Sequence, residues 1–419
     1  MNALPLSLSI DKQSRRVRLD PHDDVFVQDP WPAYDAIRAA SPVFFWEEYG
    51  LWCCAGYEDV NRLLRDRRLG RENRWGPPLN PTPGREHLAA FDAVERHSLL
   101  EREPPAHTRL RALVNKAFVS RQVERLRPRI ETMAHELIDA FPQHEPFDLL
   151  ESFATPIPVF TICDMLGVPR DASDRLLDWS HAIVKMYMHG RSRADEDAAN
   201  AASLAFSDFL RALIAERRGH VGDDLLSVLI AARDHGEKLT DDELVTSVIL
   251  LLNAGHEATV HQTGNAVRTI LSQGGDPRRF FAKPEAAEVT VEECLRFDAP
   301  LHLFTRFVYE PVELADGVVL DAGKEVGLLL GAANRDPASF SDPGAFRPGR
   351  VDQKNVTFGA GIHFCIGAPL ARIEMQMALT ALFHRLPGLC LAEDTRYRDI
   401  YHFHGLERVM VRTRSNAIL

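Results

Sequence analysis

The clearest periodic segment of the chain is a long helix. Apolar positions recur at helical spacing over residues 241–271, Thr240 is suited to cap the first turn, and no proline interrupts the segment. The run at residues 248–252 is apolar on every side, which predicts that the helix is buried centrally. Polar residues then break the run, and because burying polar groups costs free energy such a break usually marks a site. They are Asn253, Gly255, His256 and Glu257.

The rest of the pattern is also mainly helical. Helical spacing dominates from Thr108 to about residue 275, and two further helices are predicted at residues 289–297 and 369–383. Short apolar runs predict strands at residues 42–46, 51–55, 306–314 and 318–330. A segment rich in proline and glycine, residues 75–85, predicts a long loop that could serve as a substrate lid. The fold class expected is therefore mainly α with small β-sheets.

Composition excludes several classes of function. The formal net charge of −11 argues against a general nucleic-acid binder, which needs clustered lysine and arginine. The apolar N-terminal run at residues 4–10 is too short to span a membrane and has no cleavage site, so we expect no membrane association and a cytoplasmic location. Six cysteines at irregular spacing, without a CxxC pair, are typical of reduced thiols.

One of those cysteines stands in a glycine-rich loop. Residues 358–367 read FGAGIHFCIG, and an amphipathic helix follows directly. Glycines permit tight turns, and a helix start offers N–H groups and the positive end of its dipole. Cys365 is therefore placed to be a thiolate, which suits either a nucleophile or a metal ligand.

This loop resembles the haem-binding loop of the cytochrome P450 family, FxxGxxxCxG, at Phe358, Gly361, Cys365 and Gly367. The resemblance extends over most of the chain, and the sequence is similar to the bacterial branch of the family, whose members have no membrane anchor. It implies one P450 domain over residues 1–419, with haem b between the long central helix and the cysteine-loop helix. It also implies that Cys365 is the iron ligand and that the activity is insertion of one oxygen atom from O2 into a small organic substrate.

A second match is Glu293-Cys294-Leu295-Arg296, which resembles the ExxR helix of the family. Positions three apart share a helix face, so the glutamate and the arginine can pair. In the family this pair is a buried structural anchor with an arginine as third partner. The usual position of that arginine is Ala345 here, so Arg347 or Arg350 is expected to replace it.

A third match concerns the haem propionates. Residues 103–111, EPPAHTRLR, resemble the family's C-helix entry, and helical spacing places His107 and Arg111 on one face with Arg109 turned away. By the same resemblance Arg306 and His363 are expected to contact the propionates.

The polar break of the long helix resembles the family's oxygen-binding segment, AGx[DE]T. Ala254 and Gly255 match, Glu257 is the acid expected to supply protons, and Ala258 stands where the family has an alcohol. Thr259 arrives one position late, and a one-residue slip turns its hydroxyl by about 100°. A zinc site of the HExxH type is not expected, because His256 and His261 are five residues apart and so lie on different faces.

Partners and substrate follow from the resemblance. No flavin or iron–sulfur region is evident, so electrons are expected from a separate ferredoxin or flavodoxin with its reductase. Basic candidates for docking it are Arg109, Lys116 and Arg372. Pocket residues expected by alignment are Leu250, His302, Phe304, His402 and Phe403, with loops at residues 75–100 and 180–189.

Three alternatives to the monooxygenase remain open at this stage. The missing alcohol leaves room for an H2O2-driven haem peroxygenase. The cysteine loop taken alone also permits a cysteine-nucleophile hydrolase using Cys365, which would be colourless. The last alternative is a haem sensor without enzymatic activity.

Overall fold

The computed structural model describes residues 4–75, 84–115, 118, 123–188, 190–217, 222, 224–234 and 239–413, and these form mainly α-helix with small β-sheets. Within the described part of the chain the helices are α1 (Asp24–Gln28), α2 (Trp31–Ala40), α3 (Tyr57–Leu63), α4 (Ala89–Glu95), α5 (Ala106–Asn115), α6 (Arg127–Asp139), α7 (Pro156–Leu166), α8 (Ser173–Val184), α9 (Arg193–Arg217), α10 (Leu225–Asp234), α11 (Asp241–Ser272), α12 (Pro284–Phe297), α13 (Leu330–Asn334) and α14 (Ala368–Arg385).

The strands described are β1 (Ser9–Asp11), β2 (Arg16–Arg18), β3 (Val43–Trp46), β4 (Leu51–Cys54), β5 (Leu69–Gly70), β6 (Phe147–Asp148), β7 (Leu303–Val308), β8 (Val312–Glu313), β9 (Val319–Leu320), β10 (Glu325–Leu329), β11 (Leu389–Leu391) and β12 (Met410–Thr413). They form a seven-stranded sheet in the order β1-β2-β3-β4-β10-β7-β5, a three-stranded sheet β11-β12-β6 and a hairpin β8-β9. In the large sheet β10 pairs parallel with β4 and antiparallel with β7.

Contacts divide the described residues into two compact units. Unit 1 lies within the ranges Met1–Gly70, Arg127–Thr155 and Ala258–Leu419, and it contains the three sheets. Its core packs around the large sheet, with Val326, Leu328 and Leu330 fully buried. Unit 2 comprises the described residues of Arg71–Leu126 and Pro156–Glu257 and is helical. The single domain expected from the sequence stays a prediction.

The long helix is confirmed nearly to the residue. α11 spans Asp241–Ser272, and the hydroxyl of Thr240 accepts a hydrogen bond from the Glu243 N–H at 3.2 Å. The Glu243 carboxylate in turn accepts from the Thr240 N–H at 3.0 Å, which completes a capping box. Val248 and Ile249 are buried, as the apolar run predicts.

Two predicted strand runs are wrong in their extent. The run at residues 306–314 divides into β7 and β8, because Pro311 lacks an N–H for the sheet. The run at residues 318–330 divides into β9 and β10 around a turn whose Gly323 has φ +86°. The helix predicted at residues 289–297 begins earlier, at Pro284, because proline suits the first helical turn.

The two loops expected near the substrate are partly helical. Residues 86–88 form a 3₁₀ turn before α4, and residues 180–184 belong to α8 rather than to a loop. Residues 76–83 of the expected lid, and residue 189, lie outside the described residues. Among the described helices, none combines the length and apolar character needed to cross a membrane.

Candidate active site

The cysteine loop adopts a conformation that requires its glycines. Gly359 and Gly361 have φ of +66° and +73°, in the left-handed region that favours glycine. A Cβ added at Gly361 would lie 2.5 Å from the carbonyl oxygen of Leu64, so a side chain there would collide with backbone. The Cys365 N–H donates to the carbonyl of Phe358 at 2.9 Å, which closes the loop just before α14 begins. These contacts hold the thiol in place at the start of a helix.

Burial distinguishes Cys365 from the other five cysteines. Its side chain is exposed, whereas four others are buried and Cys390 is half-buried. Burial raises the pKa of each of the four buried thiols above its ordinary value, which disfavours the thiolate. They are Cys53, Cys54, Cys163 and Cys294. Only Cys365 combines exposure with a helix start, so its sulfur is the one suited to ligate a metal.

The surroundings of this thiol fit a flat apolar cofactor. Ile362 and Phe364 precede Cys365 in the loop, and each is 38% exposed. Phe358 is half-buried, and the guanidinium of Arg372 lies 4.6 Å from its ring centroid. A soft sulfur donor among exposed apolar side chains matches the thiolate ligation of haem.

The ExxR pair is a buried, bidentate ion pair. Nε and Nη2 of Arg296 each donate to the Glu293 carboxylate at 2.8 Å, and both side chains are 2% exposed. Nη1 of Arg296 also donates to the carbonyls of Asn334 and Pro343, each at 3.0 Å. The pair thus ties α12 to the segment that precedes the cysteine loop.

The third partner of this pair is Arg350. Its Nε donates to Glu293 Oε2 at 3.0 Å, and its side chain is buried. Arg347 contributes only its backbone N–H to Glu293, at 2.8 Å, while its guanidinium pairs with Asp342. Of the two residues expected from the sequence, Arg350 is confirmed and Arg347 is wrong as the charged partner.

The expected propionate donors lie in two different units. In unit 2, His107 is buried on α5 and Arg111 is half-buried one helical turn later. In unit 1, Arg306 is buried on β7, where Nη1 donates to the Thr305 carbonyl at 2.8 Å, and His363 is half-buried. Buried or half-buried cationic and imidazole donors are the chemistry that a carboxylate requires.

The candidate docking cations are engaged within the protein. Arg109 donates to the Glu243 carboxylate, with one contact of 3.1 Å from Nη1. Arg372 pairs with Glu292, with one contact of 3.2 Å from Nη2. Lys116 lies outside the described residues. Neither arginine therefore presents an uncompensated charge, which weakens the docking patch expected from the sequence.

The polar break of α11 is packed closely in unit 2. A Cβ added at Gly255 would lie 3.1 Å from Cγ1 of Ile162, so this glycine also serves helix packing. Ala254 is exposed and Glu257 is half-buried. In unit 1, Ala258 is half-buried and Thr259 is buried. A larger residue at position 255 would crowd Ile162. Helix packing is therefore one reason for the glycine, in addition to the role expected from the oxygen-binding segment.

Sequence reasoning missed the residue that faces the acid. Nε2 of His181, on α8, lies 3.3 Å from Oε2 of Glu257, and Nε2 of His256 lies 3.6 Å from the same oxygen. His181 lies in the segment expected near the pocket, but residues 76 positions apart give no local pattern, so the sequence did not pair it with Glu257. Among the described residues, the ligand atoms of His256 and Glu257 form a group that could hold a metal ion together with His181, and not with His261. This supports the rejection of an HExxH site.

The side chains expected to line the pocket differ in how far they are exposed to solvent. Leu250, Phe304 and His402 are half-buried, whereas His302 and Phe403 are buried. The ring of Phe403 packs against those of His402 and His261, at centroid distances of 4.9 and 5.6 Å. Their contact with a substrate stays a prediction.

His302 belongs to a buried polar cluster in unit 1 that the sequence did not indicate. Its Nδ1 lies 2.9 Å from the Tyr34 hydroxyl, and its ring stacks on His404 at 4.5 Å. Nε2 of His404 lies 3.4 Å from Oδ1 of Asp298, whose Oδ2 accepts from the Tyr397 hydroxyl at 2.5 Å. Burial lowers the pKa of His302 and His404 well below the ordinary value, so both rings are neutral near pH 7.

Comparison with known proteins decides between the classes of protein that this site permits. The family model described as Cytochrome P450 matches residues 79–268 and 285–408. The chain belongs to the cytochrome P450 family. This P450 is 37% identical over 403 residues to cytochrome P450 107B1 of Saccharopolyspora erythraea, covering 93% of this chain and 96% of that one.

Two further relatives extend the comparison. The P450 is 38% identical over 374 residues to the cytochrome P450 monooxygenase PikC of Streptomyces venezuelae, covering 87% of this chain and 86% of that one. The solved structure of the cytochrome P450 PksS of Bacillus subtilis matches with a TM-score of 0.84 at 31% identity, covering 95% of this chain and all of the other. The mainly helical P450 fold is confirmed.

The family settles the class of the enzyme. The protein is a haem-dependent P450 monooxygenase that oxidises a small organic substrate and takes electrons from redox partners. The cysteine-nucleophile hydrolase and the non-enzymatic haem sensor are therefore excluded.

Proposed function

We propose that Cys365 is the thiolate ligand of haem b in this P450 and that histidine and arginine side chains bind the propionates. The observation that carries the proposal is the exposure of Cys365 alone among six cysteines, in a loop whose glycines place it at a helix start. The propionate donors are His107, Arg111, Arg306 and His363. Bound haem would supply the activation of O2 for transfer of one oxygen atom to the substrate.

The electrons come from a separate ferredoxin or flavodoxin with its reductase. Support comes from the family, whose members depend on redox partners. Arg109 and Arg372 are paired within the protein, so Lys116 is the one of the three expected docking cations to which this objection does not apply. A peroxygenase would instead form product from H2O2 without any reductase. The cytoplasmic location and the lack of nucleic-acid binding stay predictions.

Glu257 supplies protons for the reduction of O2. Its carboxylate is largely buried in the middle of α11 and faces His181, whose side chain is 54% exposed. A buried acid next to a solvent-exposed imidazole can exchange protons with water, because the ordinary pKa of histidine lies near neutrality. The two residues thus form a route for protons between solvent and the break of the helix.

Because Ala258 has no hydroxyl, another donor must complete the proton route that begins at His181 and Glu257. The alcohol usual at this position is missing, and Thr259 is buried about a quarter turn away. Three donors remain: a water molecule held by Glu257, a hydroxyl or carbonyl group of the substrate, and the displaced hydroxyl of Thr259. The first two rank equally, and Thr259 ranks below them because its side chain is turned about a quarter turn away.

Substrate assistance predicts a distinct defect with altered substrates. An analogue that lacks the hydroxyl or carbonyl of the substrate is expected to bind but to divert reductant to peroxide, because the apolar contacts remain while the proton donor is lost. Binding is measured by the spin-state change of the haem, and coupling by the ratio of product to reductant consumed. A library screened by the same spin-state change identifies the substrate first.

Two variants separate the donors. Ala258→Thr is expected to restore coupling with the analogue, since it returns an alcohol to the family's position, and Thr259→Ala is expected to leave coupling with the true substrate unchanged. Equal coupling for the substrate and its analogue would rule out substrate assistance and leave the water route.

A further inference from the structure

Three ligand atoms of unit 2 converge at the break of α11. Oε2 of Glu257 lies 3.3 Å from Nε2 of His181 and 3.6 Å from Nε2 of His256. All three atoms lie within 4.8 Å of one another. Zinc–nitrogen and zinc–oxygen bonds of about 2.0–2.1 Å in a tetrahedron place neighbouring ligand atoms about 3.3 Å apart. The distances from Glu257 to His181 and to His256 are therefore close to those between ligand atoms around one ion.

The imidazole of His256 is oriented for ligation by a backbone contact. Its Nδ1 lies 2.8 Å from the carbonyl oxygen of Leu252, and because a carbonyl only accepts, Nδ1 must carry the hydrogen. Nε2 of a neutral His256 then presents a lone pair to the Glu257 carboxylate. Two electron-rich atoms facing each other at this distance are stabilised by a cation, which is either a proton on the ring or a metal ion. A second hydrogen bond that sets the tautomer is typical of metal-binding histidines.

The exposure of the three side chains suits an accessible site. His256 and Glu257 are 5% and 11% exposed, while His181 is 54% exposed. A metal ion can thus enter from the side of His181, and water can occupy the fourth position, as in zinc sites with three protein ligands.

We propose that His181, His256 and Glu257 form a binding site for a divalent transition-metal ion of the zinc, nickel and copper class. Two imidazole nitrogens and one carboxylate oxygen suit these borderline ions. Mg²⁺ and Ca²⁺ are not expected to bind, because they prefer oxygen ligands.

Occupation of this site has a consequence for turnover that rests on the proposed function of Glu257. A carboxylate held by a metal ion cannot take up and release protons, so the bound ion inhibits the monooxygenase. Metal binding itself depends only on the three ligand atoms, so the two claims are tested by separate measurements.

Equilibrium dialysis of the haem-loaded, full-length protein against chelator-buffered Zn²⁺ tests the site. The wild-type protein is expected to bind one more Zn²⁺ than His181→Ala at the same free concentration, and Glu257→Gln is expected to weaken that binding roughly tenfold or more. His144→Ala is the matched control, because His144 is an exposed histidine outside the cluster, and it is expected to bind as the wild type does. Excess Mg²⁺ is expected not to displace the zinc. An unchanged carbonyl spectrum shows that each variant retains its fold.

The outcomes separate the two claims. Equal zinc binding by the wild type and by His181→Ala overturns the site. Loss of binding in His181→Ala, together with zinc inhibition of the wild type and no further fall of this variant's own residual turnover on adding zinc, supports both claims. Loss of binding in the variant without inhibition of the wild type supports the site and contradicts the proton role of Glu257.

Discussion

Replacing Arg296 by methionine is expected to lower the free energy of unfolding by about 3–5 kcal/mol, the scale for breaking a buried ion pair. Glu293 would remain almost fully buried and lose two hydrogen bonds from one guanidinium. The carbonyls of Asn334 and Pro343 would lose their donor as well. Denaturant unfolding of the haem-loaded protein, followed by the Soret absorbance, measures the change.

Arg347 and Arg350 provide an internal comparison for this prediction. Arg350→Met is expected to cost about 1–3 kcal/mol, since it removes charged hydrogen bonds to Glu293 but leaves Arg296 in place. Arg347→Ala is expected to change stability by no more than about 0.5 kcal/mol, because its guanidinium forms an exposed pair with Asp342 and only its backbone contacts Glu293. The assignment of the third partner would be contradicted by a larger loss in Arg347→Ala than in Arg350→Met.

Replacing Glu257 by glutamine is expected to slow product formation by about tenfold or more, a typical scale for losing a general acid, and to leave haem binding intact. Glutamine preserves the shape of the side chain but cannot exchange protons, and its contact with His181 loses its charge. Turnover with saturating reductant, together with the carbonyl spectrum of the same preparation, measures the two effects separately.

Glu243→Gln is the matched control for that experiment. Glu243 is another acid of α11, but it lies in the first turn, where it completes the cap and pairs with Arg109. This variant is expected to lose some stability and to keep its rate of turnover. A Glu257→Gln protein that turned over as fast as the wild type would show that the acid has a structural role.

Local patterns predicted the elements whose structure depends on local interactions. The extent of α11 follows from its apolar period and from the Thr240–Glu243 cap, both of which lie within the segment itself. The shape of the Cys365 loop follows from the spacing of its glycines, two of which adopt positive φ. Two predicted strands were too long because the sequence stays mainly apolar across a turn in each of them. Pro311 and Gly323 lie in these turns and interrupt the strands, although the neighbouring residues favour strand.

Contacts between segments that are distant in the chain could not be predicted from the sequence. The choice of Arg350 over Arg347 depends on how the chain turns after Pro343, since both residues follow Glu293 by more than fifty positions. The approach of His181 to Glu257, and the stacking of His302 on His404, depend on how separate elements pack. A single sequence contains no periodicity that reports such pairs.

The most direct test of the central claim is the absorption spectrum of the reduced carbonyl complex. The purified wild-type protein is expected to be red and to show the red-shifted Soret band of a thiolate-ligated haem. Cys365→Ser is expected to lose that band, whereas Cys390→Ser, at a half-buried cysteine outside the loop, is expected to keep it. A colourless protein after expression with adequate haem, or a red-shifted band that persists in Cys365→Ser, would contradict the assignment of Cys365 as the haem ligand.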